Sequence, residues 1–215
     1  MKNSKIILSI LIVFFFGVAF YLYPQMPDTM ASHWNTRGEV DGYMPKFWGV
    51  FLMPIISVFM FLLFLVIPRI DPLKDNIAKF RRFFDDFVIL LNAFLFYIYL
   101  LTIFWSLGAR FDMGQYMAPA IGVLFYYAGV LTEHAKMNWF IGVRTPWTLS
   151  SEAVWDKTNQ RAGKLFKLAA VSAVLGVFFK NYTFYFVIIP VLLLTIYVVI
   201  YSYIEHKKET TQPNP

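Results

Sequence analysis

The sequence predicts an all-α polytopic membrane protein: a transmembrane bundle of about six helices, with both termini in the cytoplasm. Three observations predict it. Only 15% of the 215 residues are charged and 59% are hydrophobic, whereas a soluble domain carries about a quarter charged residues. Charge is missing from long runs: 22 residues between Lys5 and Asp28, 22 between Lys46 and Arg69, 23 between Asp86 and Arg110, 20 between Asp112 and Glu133, and 24 between Lys180 and Glu205. Some 20 helical residues rise the ~30 Å of a bilayer core, so five such runs leave little chain for a soluble core. Finally, the basic residues are lopsided. Fifteen lie in the N-terminus, residues 69–82, residues 136–167 and the tail, against four (Arg37, Lys46, Arg110, Lys180) in the alternate connections. Basic loops stay in the cytoplasm, which orients the chain.

The expected spans are residues 6–23, 48–67, 87–108, 117–132, 165–179 and 184–204, in a single membrane domain over 1–215. The outer loop is then 24–47, the inner loops are 68–86 and 133–164, and the inner tail is 205–215. The first span has an alternative as a cleaved signal sequence, with a basic start and a small triplet at Gly17-Val18-Ala19. Apolar residues continue to Tyr23, which favours retention. The fifth span has a charge-free run of only 12 residues between Lys167 and Lys180. It reaches span length if Lys167 snorkels to the interface. Lys180-Asn181-Tyr182-Thr183 then makes a tight turn into the sixth.

Mid-span ionisable residues mark ion or proton pathways, and these spans have none. Asn92 reads as an interhelical hydrogen-bonding group. Ala118/Gly122/Gly129 and Ala169/Ser172/Ala173/Gly176 are small residues at helical spacing that let backbones approach closely. They serve packing within the monomer or, alternatively, a homodimer. Pro54 and Pro190 should kink their helices.

Two connections carry information. In the outer loop, Gly38 suits a left-handed position and Asp41-Gly42 reads as a turn. His33, Trp34, Asn35, Arg37, Asp41, Tyr43 and Lys46 offer specific contacts, either as a cap at headgroup depth or as a ligand-facing surface. His33 with Asp28, Glu39 or Asp41 is too thin a donor set for zinc. His134 and His206 lie on the other side, so no metal is expected. In the inner connection, Pro146 makes Thr145 extended and Ser150 is a candidate N-cap. A short helix over 151–162 would lie along the inner interface on Trp147 and Trp155. Residues 133–167 net +3, which suits an anionic lipid surface or a cytosolic partner.

Whole classes drop out. The chain has no cysteine, hence no disulfide, thiolate metal site or thiol nucleophile. No nucleophile elbow, H-E-x-x-H, Walker loop or dinucleotide fingerprint is present. Asp85-Asp86 are neighbours on a helix and point about 100° apart, which is no acid–base dyad. The net charge of +6 follows from membrane orientation, so nucleic acid is not an expected partner. No cofactor is expected either.

The chain resembles the SdpI-like immunity family of bacterial membrane proteins. The likeness rests on Pro27-Asp28, His33-Trp34-Asn35, Gly38, Asp41-Gly42-Tyr43 and Lys46 in the first connection. In the second it rests on Asn138-Trp139-Phe140-Ile141-Gly142-Val143-Arg144-Thr145-Pro146-Trp147-Thr148-Leu149-Ser150, then Trp155, Lys157-Thr158 and Gly163-Lys164-Leu165. The resemblance implies a non-enzymatic protein of the cell membrane that protects its producer from a secreted, membrane-active toxin peptide. It also implies a signal transducer that holds a cytosolic repressor at the membrane. On that reading His33, Trp34, Asn35, Arg37, Gly38, Asp41, Gly42, Tyr43 and Lys46 face the toxin. Asn138, Gly142, Arg144, Thr145, Pro146, Trp147, Thr148, Trp155, Lys157, Thr158 and Gly163 face the partner or lipid. The competing readings are a small-solute transporter or channel, and a membrane enzyme using His33, Asp28 and Asp41.

Overall fold

A computed structural model describes residues 2–211. Six long helices alternate in direction between two ends: α1 (Lys2–Leu22), α2 (Lys46–Ile70), α4 (Arg81–Ser106), α5 (Met113–His134), α7 (Glu152–Leu175) and α8 (Thr183–Thr211). Short helices α3 (Lys74–Lys79) and α6 (Pro146–Ser150) fill connections at the end that carries most of the basic residues, here the basic end. At the opposite, hairpin end, β1 (Thr29–Trp34) pairs antiparallel with β2 (Val40–Pro45).

Four helical stretches are long and apolar enough to cross a membrane: Asn3–Gln25, Lys46–Ile70, Arg81–Ser106 and Lys180–Thr211. α5 and α7, at 22 and 24 residues, have the reach at about 1.5 Å per residue but a more polar make-up. The all-α membrane architecture is as expected, with one addition. Residues expected to form irregular turns make a two-stranded hairpin instead.

The helices pack as two groups of three, α1/α2/α4 and α5/α7/α8, joined along α4 and α5. In the first group Phe15, Ala19, Val50, Phe51, Tyr99 and Ile103 are buried together with Met26, before the hairpin, and Met30 within it. The buried Leu8, Phe15 and Ala19 make α1 a working part of the core, so removing it would uncover the faces of α2 and α4 on which it packs. At the basic end one cluster joins both groups: Leu8, Phe64, Phe80 and Phe84 meet Leu131, Ala135 and Trp155. The outward faces are apolar, as in Val13, Phe20, Leu193 and Ile196, which suits helices solvated by lipid.

Most polar groups within the bundle are paired, although the buried Tyr99 and Thr158 hydroxyls have no hydrogen-bond partner among the described residues. Ser57 Oγ donates to Asn92 Oδ1, and Asn92 Nδ2 donates to the Val88 carbonyl at 2.8 Å; Asn92 is the interhelical link its position suggested. Arg81 pairs with buried Asp85 and lies 4.8 Å over the Phe64 ring. Ser4 donates to the same carboxylate at 3.0 Å, which ties the first turn of α1 to α4. Tyr127 reaches Asp86 instead, so the two neighbouring carboxylates face different helices.

Small residues close the second group, and they do so within the monomer. A Cβ placed on Gly129 would sit 2.6 Å from the Gly163 carbonyl oxygen, and one on Gly163 would sit 2.6 Å from that of Gly129. Gly122 meets Ala170 and Val174 in the same seam. Only hydrogen at these positions permits that approach.

Several expectations are corrected. Residues 133–164 are not one loop, because α7 begins at Glu152. The separate interfacial helix over 151–162 and the span from 165 form that single helix, and Trp155 is fully buried inside the protein rather than lying on the membrane. Lys167 does not snorkel alone; its ammonium lies 2.6 Å from Glu133. The N-cap of α7 is Ser151, not Ser150. Residues 81–86 of the expected 68–86 loop already belong to α4. The tail is helical through Thr211, and 212–215 lie outside the described residues.

Gly163→Ala and Gly129→Ala should each destabilise the protein by about 1–3 kcal/mol through overpacking. Gly17→Ala, where an added Cβ meets nothing within 4 Å, should be neutral or slightly stabilising. Thermal unfolding of the detergent-solubilised protein checks the contrast.

Candidate functional site

The hairpin end is built around Asn35. Its Oδ1 accepts the backbone N–H groups of Arg37 and Glu39, its Nδ2 donates to Glu39 Oε2 at 3.0 Å, and its backbone N–H donates to the Glu39 carbonyl. Gly38, with φ at 76°, supplies the left-handed position expected of it. A side chain there would also press on Asp112, whose carboxylate would lie 3.2 Å from the new Cβ. The Glu39 carboxyl is held below its ordinary range, chiefly by the Asn35 hydrogen bond and then by the Arg37 guanidinium. Asp41-Gly42 is not the turn: both lie in β2, Gly42 opposite His33 at an irregular register. The reason is spatial, since a Cβ on Gly42 would come within 2.9 Å of the His33 Cβ. His33 Nδ1 pairs with Asp41 Oδ1 across the strands. The described residues contain no group of three potential metal-ligating side chains.

The hairpin leans on the bundle through Trp34, edge-on to Trp105 at 5.9 Å, and through Met30, which occupies the space left by Gly49. Between the hairpin turn, α5 and α8 lies a cavity of about 250 Å³. Trp34, Asn35 and Gly38 form one wall, Met117 and Ile121 the second, and Phe184 and Ile188 the third, with Asp112 and Lys180 also lining it. The buried Trp34 Nε1–H has no hydrogen-bond partner among the described residues. Of the residues singled out in the sequence, Trp34, Asn35 and Gly38 line this cavity. His33, Arg37, Asp41 and Tyr43 lie exposed on the hairpin, and Lys46 sits 4.9 Å over the Tyr23 ring. Asp112 and Lys180 were missed. Their signal was scarcity: they are two of the few charges in the hairpin-end connections.

At the basic end the residue string expected to face a partner turns largely inward. Asn138 is fully buried. Its Nδ2 donates to the carbonyls of Lys136 and Ile141, and its Oδ1 accepts from Phe140 and Ile141 N–H. Gly142 takes φ of 109° against Asn159, whose Oδ1 accepts the Val143 N–H. Extended Thr145 and Thr148 form a reciprocal capping box around Pro146, and Thr145 Oγ1 reaches Ser202 on α8. Trp155 Nε1 donates to the Ala135 carbonyl at 2.7 Å. Buried Asp71 accepts the Trp139 N–H, joining this loop to the other helix group.

Partner-facing or lipid-facing roles are therefore corrected for Asn138, Thr145, Thr148, Trp155, Thr158 and Gly163, all of which are buried. Backbone groups in a packed loop need partners, and these side chains supply them or fill the space between helices. Trp147 packs on Tyr203, and Lys157 pairs with Glu205 at 3.1 Å. What stays outside is a corner of Trp139, Phe140, Arg144 and Pro146. Arg144 donates to the Trp139 carbonyl at 2.6 Å rather than to Glu133 or Glu152.

The two motif regions coincide with two matches to known proteins. Residues 134–202 match the SdpI/YfhL protein family, and residues 10–58 match a domain of unknown function, DUF1648. The chain is 28% identical over 207 residues to the Immunity protein SdpI of Bacillus subtilis (strain 168), covering 95% of this chain and 97% of that protein. No solved structure matches it. With its apolar helices, these matches make the chain a multi-pass protein of the cell membrane.

Two outcomes follow from the geometry. Asn138→Ala should cost at least about 1–3 kcal/mol, because it strips partners from buried backbone groups; exposed Arg144→Ala should cost under about 0.5 kcal/mol. Chemical denaturation compares them. A carboxylate favoured in the folded hairpin stabilises it above its unfolded pKa of about 4.3 and loses that effect as pH falls through the lower folded value. Acid, not alkali, should therefore loosen the turn. The Asn35 side-chain amide NMR signals should shift on acidification, and Glu39→Gln should abolish the response.

Proposed function

Taking an SdpI-like membrane protein of the immunity family as the premise, we propose that this chain protects its producer against a secreted, membrane-active toxin peptide, which it engages at the hairpin end. The hairpin end then faces outward and the basic end the cytoplasm, with all six long helices spanning. That orientation is supported by the fifteen-to-four division of basic residues between the two sets of connections.

The observation that carries the reading is the 250 Å³ cavity between hairpin, α5 and α8. An apolar side chain of a peptide fits its Met117, Ile121 and Ile188 walls. Asp112 and Lys180 are suited to the peptide's polar backbone or a charged terminus. Apolar walls with a few polar groups at the rim are suited to binding a peptide.

A cytosolic repressor-type partner is the second half of the proposal. It is supported by the exposed Trp139, Phe140 and Arg144 corner at the other end. Arg144 has a planar fork of donors suited to a carboxylate.

The test is expression in a toxin-sensitive host challenged with candidate peptides. Trp34→Ala and Ile121→Trp, which empties or fills the cavity, should each lower protection at unchanged membrane abundance. Arg144→Ala should abolish recruitment of the repressor while leaving resistance intact. Protection that survives both cavity variants sinks the toxin-site reading, and loss of resistance with Arg144→Ala at normal abundance sinks the separation of the two ends.

A further inference from the structure

At the basic end the close crossing of α5 and α7 leaves a groove of about 630 Å³, lined by Glu133 and His134 from α5 and by Gln160, Lys164, Lys167 and Leu168 from α7. The crossing itself explains the groove. Gly129 and Gly163 put no side chains into the seam, so the flanking long side chains become its walls.

The groove's charge is unbalanced. Glu133 is engaged by Lys167 at 2.6 Å. His134 Nδ1 lies 2.8 Å from the Val130 carbonyl, which only accepts, so Nδ1 carries a proton and the ring offers Glu133 no competing acceptor there. Its ring is fixed by stacking on Phe83 at 3.8 Å. Lys164 is exposed and has no ion pair among the described residues. One positive charge is thus left over, beside the amide of Gln160.

The same helix face turns apolar one turn further on. Lys164, Leu168, Val171 and Leu175 recur at helical spacing, and Leu168 and Val171 are 65% and 56% exposed. On α5 the exposed Val123 and Tyr126 continue the wall, with Lys167 Nζ 5.8 Å over the Tyr126 ring. A polar, cationic mouth followed by an apolar trough is the profile of one lipid molecule: phosphate at the mouth, acyl chain along the trough.

We propose that this groove is a binding site for an anionic phospholipid, with Lys164 and Gln160 holding the headgroup phosphate and Leu168, Val171 and Val123 holding an acyl chain. The site is independent of any toxin or repressor. Its lipid lies against the helix crossing, where it covers the Glu133–Lys167 pair from the membrane side.

Native mass spectrometry of the full-length protein in mild detergent tests it, with dioleoyl phosphatidylglycerol and dioleoyl phosphatidylcholine as probes. Phosphatidylglycerol should be retained in preference to phosphatidylcholine. Lys164→Gln should weaken its binding about fivefold, the weight of one basic residue at a membrane surface. Gln160→Glu, which adds a negative charge to the same wall, should weaken it as well. Lys207→Gln, on the C-terminal turns of α8, should not. Equal retention of the two lipids overturns the proposal. So does unchanged phosphatidylglycerol binding in both groove variants, or its displacement by inorganic phosphate, which would mark a free-anion site.

Discussion

The backbone-to-backbone approach of α5 and α7 at Gly129 and Gly163 is the constraint on which the second half of the molecule depends. It fixes the depth at which the two helices cross. That depth brings Glu133 to Lys167 and so neutralises the charges nearest the apolar part of α7. It also sets the rotation of α7, which turns Trp155 inward so that its indole N–H meets the Ala135 carbonyl at the end of α5. The chain between those two points must then close over Trp155, and it does so with side-chain hydrogen bonds around one short helix, α6.

That closure explains a long signature string with few exposed members. A loop of 135–151 has many backbone donors and acceptors and little regular pairing. Asn138 satisfies four of them, Asn159 one more, and Thr145 and Ser151 cap the helices that follow. Asp71 then carries the arrangement across to the first helix group, through Trp139 N–H on one oxygen and Leu73 N–H on the other. The loop is less a surface than a clasp between two three-helix groups.

The physics that was legible in the sequence is the physics of local composition. Charge-free runs located most of the long helices, Gly122 and Gly129 at helical spacing marked the α5 side of the seam while Gly163 opposite them was expected to face a partner, Asn92 announced a polar contact, and Gly38 announced a left-handed turn. What was not legible depends on distance in space. Six residues between Thr29 and Trp34 could not show that they pair with 40–45, because prolines and glycines on both sides look the same in a turn-rich loop. Nor could spacing show whether Trp155 lies on a membrane or under a loop; either use suits a large ring with a donor. The cavity at the hairpin end joins three connections far apart in the chain. Asp112 and Lys180 gain their meaning only once α5 and α8 stand side by side.

The continuity of α7 has a mechanical consequence. The helix runs 24 residues without proline, roughly 36 Å at ordinary helical rise. One end abuts the capped turn at Gly176, packed on Phe186 near the cavity. The other begins at Ser151, beneath the clasp. Near its middle Gly163 rests directly on Gly129, so the helix is a stiff beam on a fulcrum with arms of similar length. A beam has no slack: a tilt at the hairpin end reappears, reversed in direction, at the basic end. The two ends of the bundle are thereby joined through one rigid body.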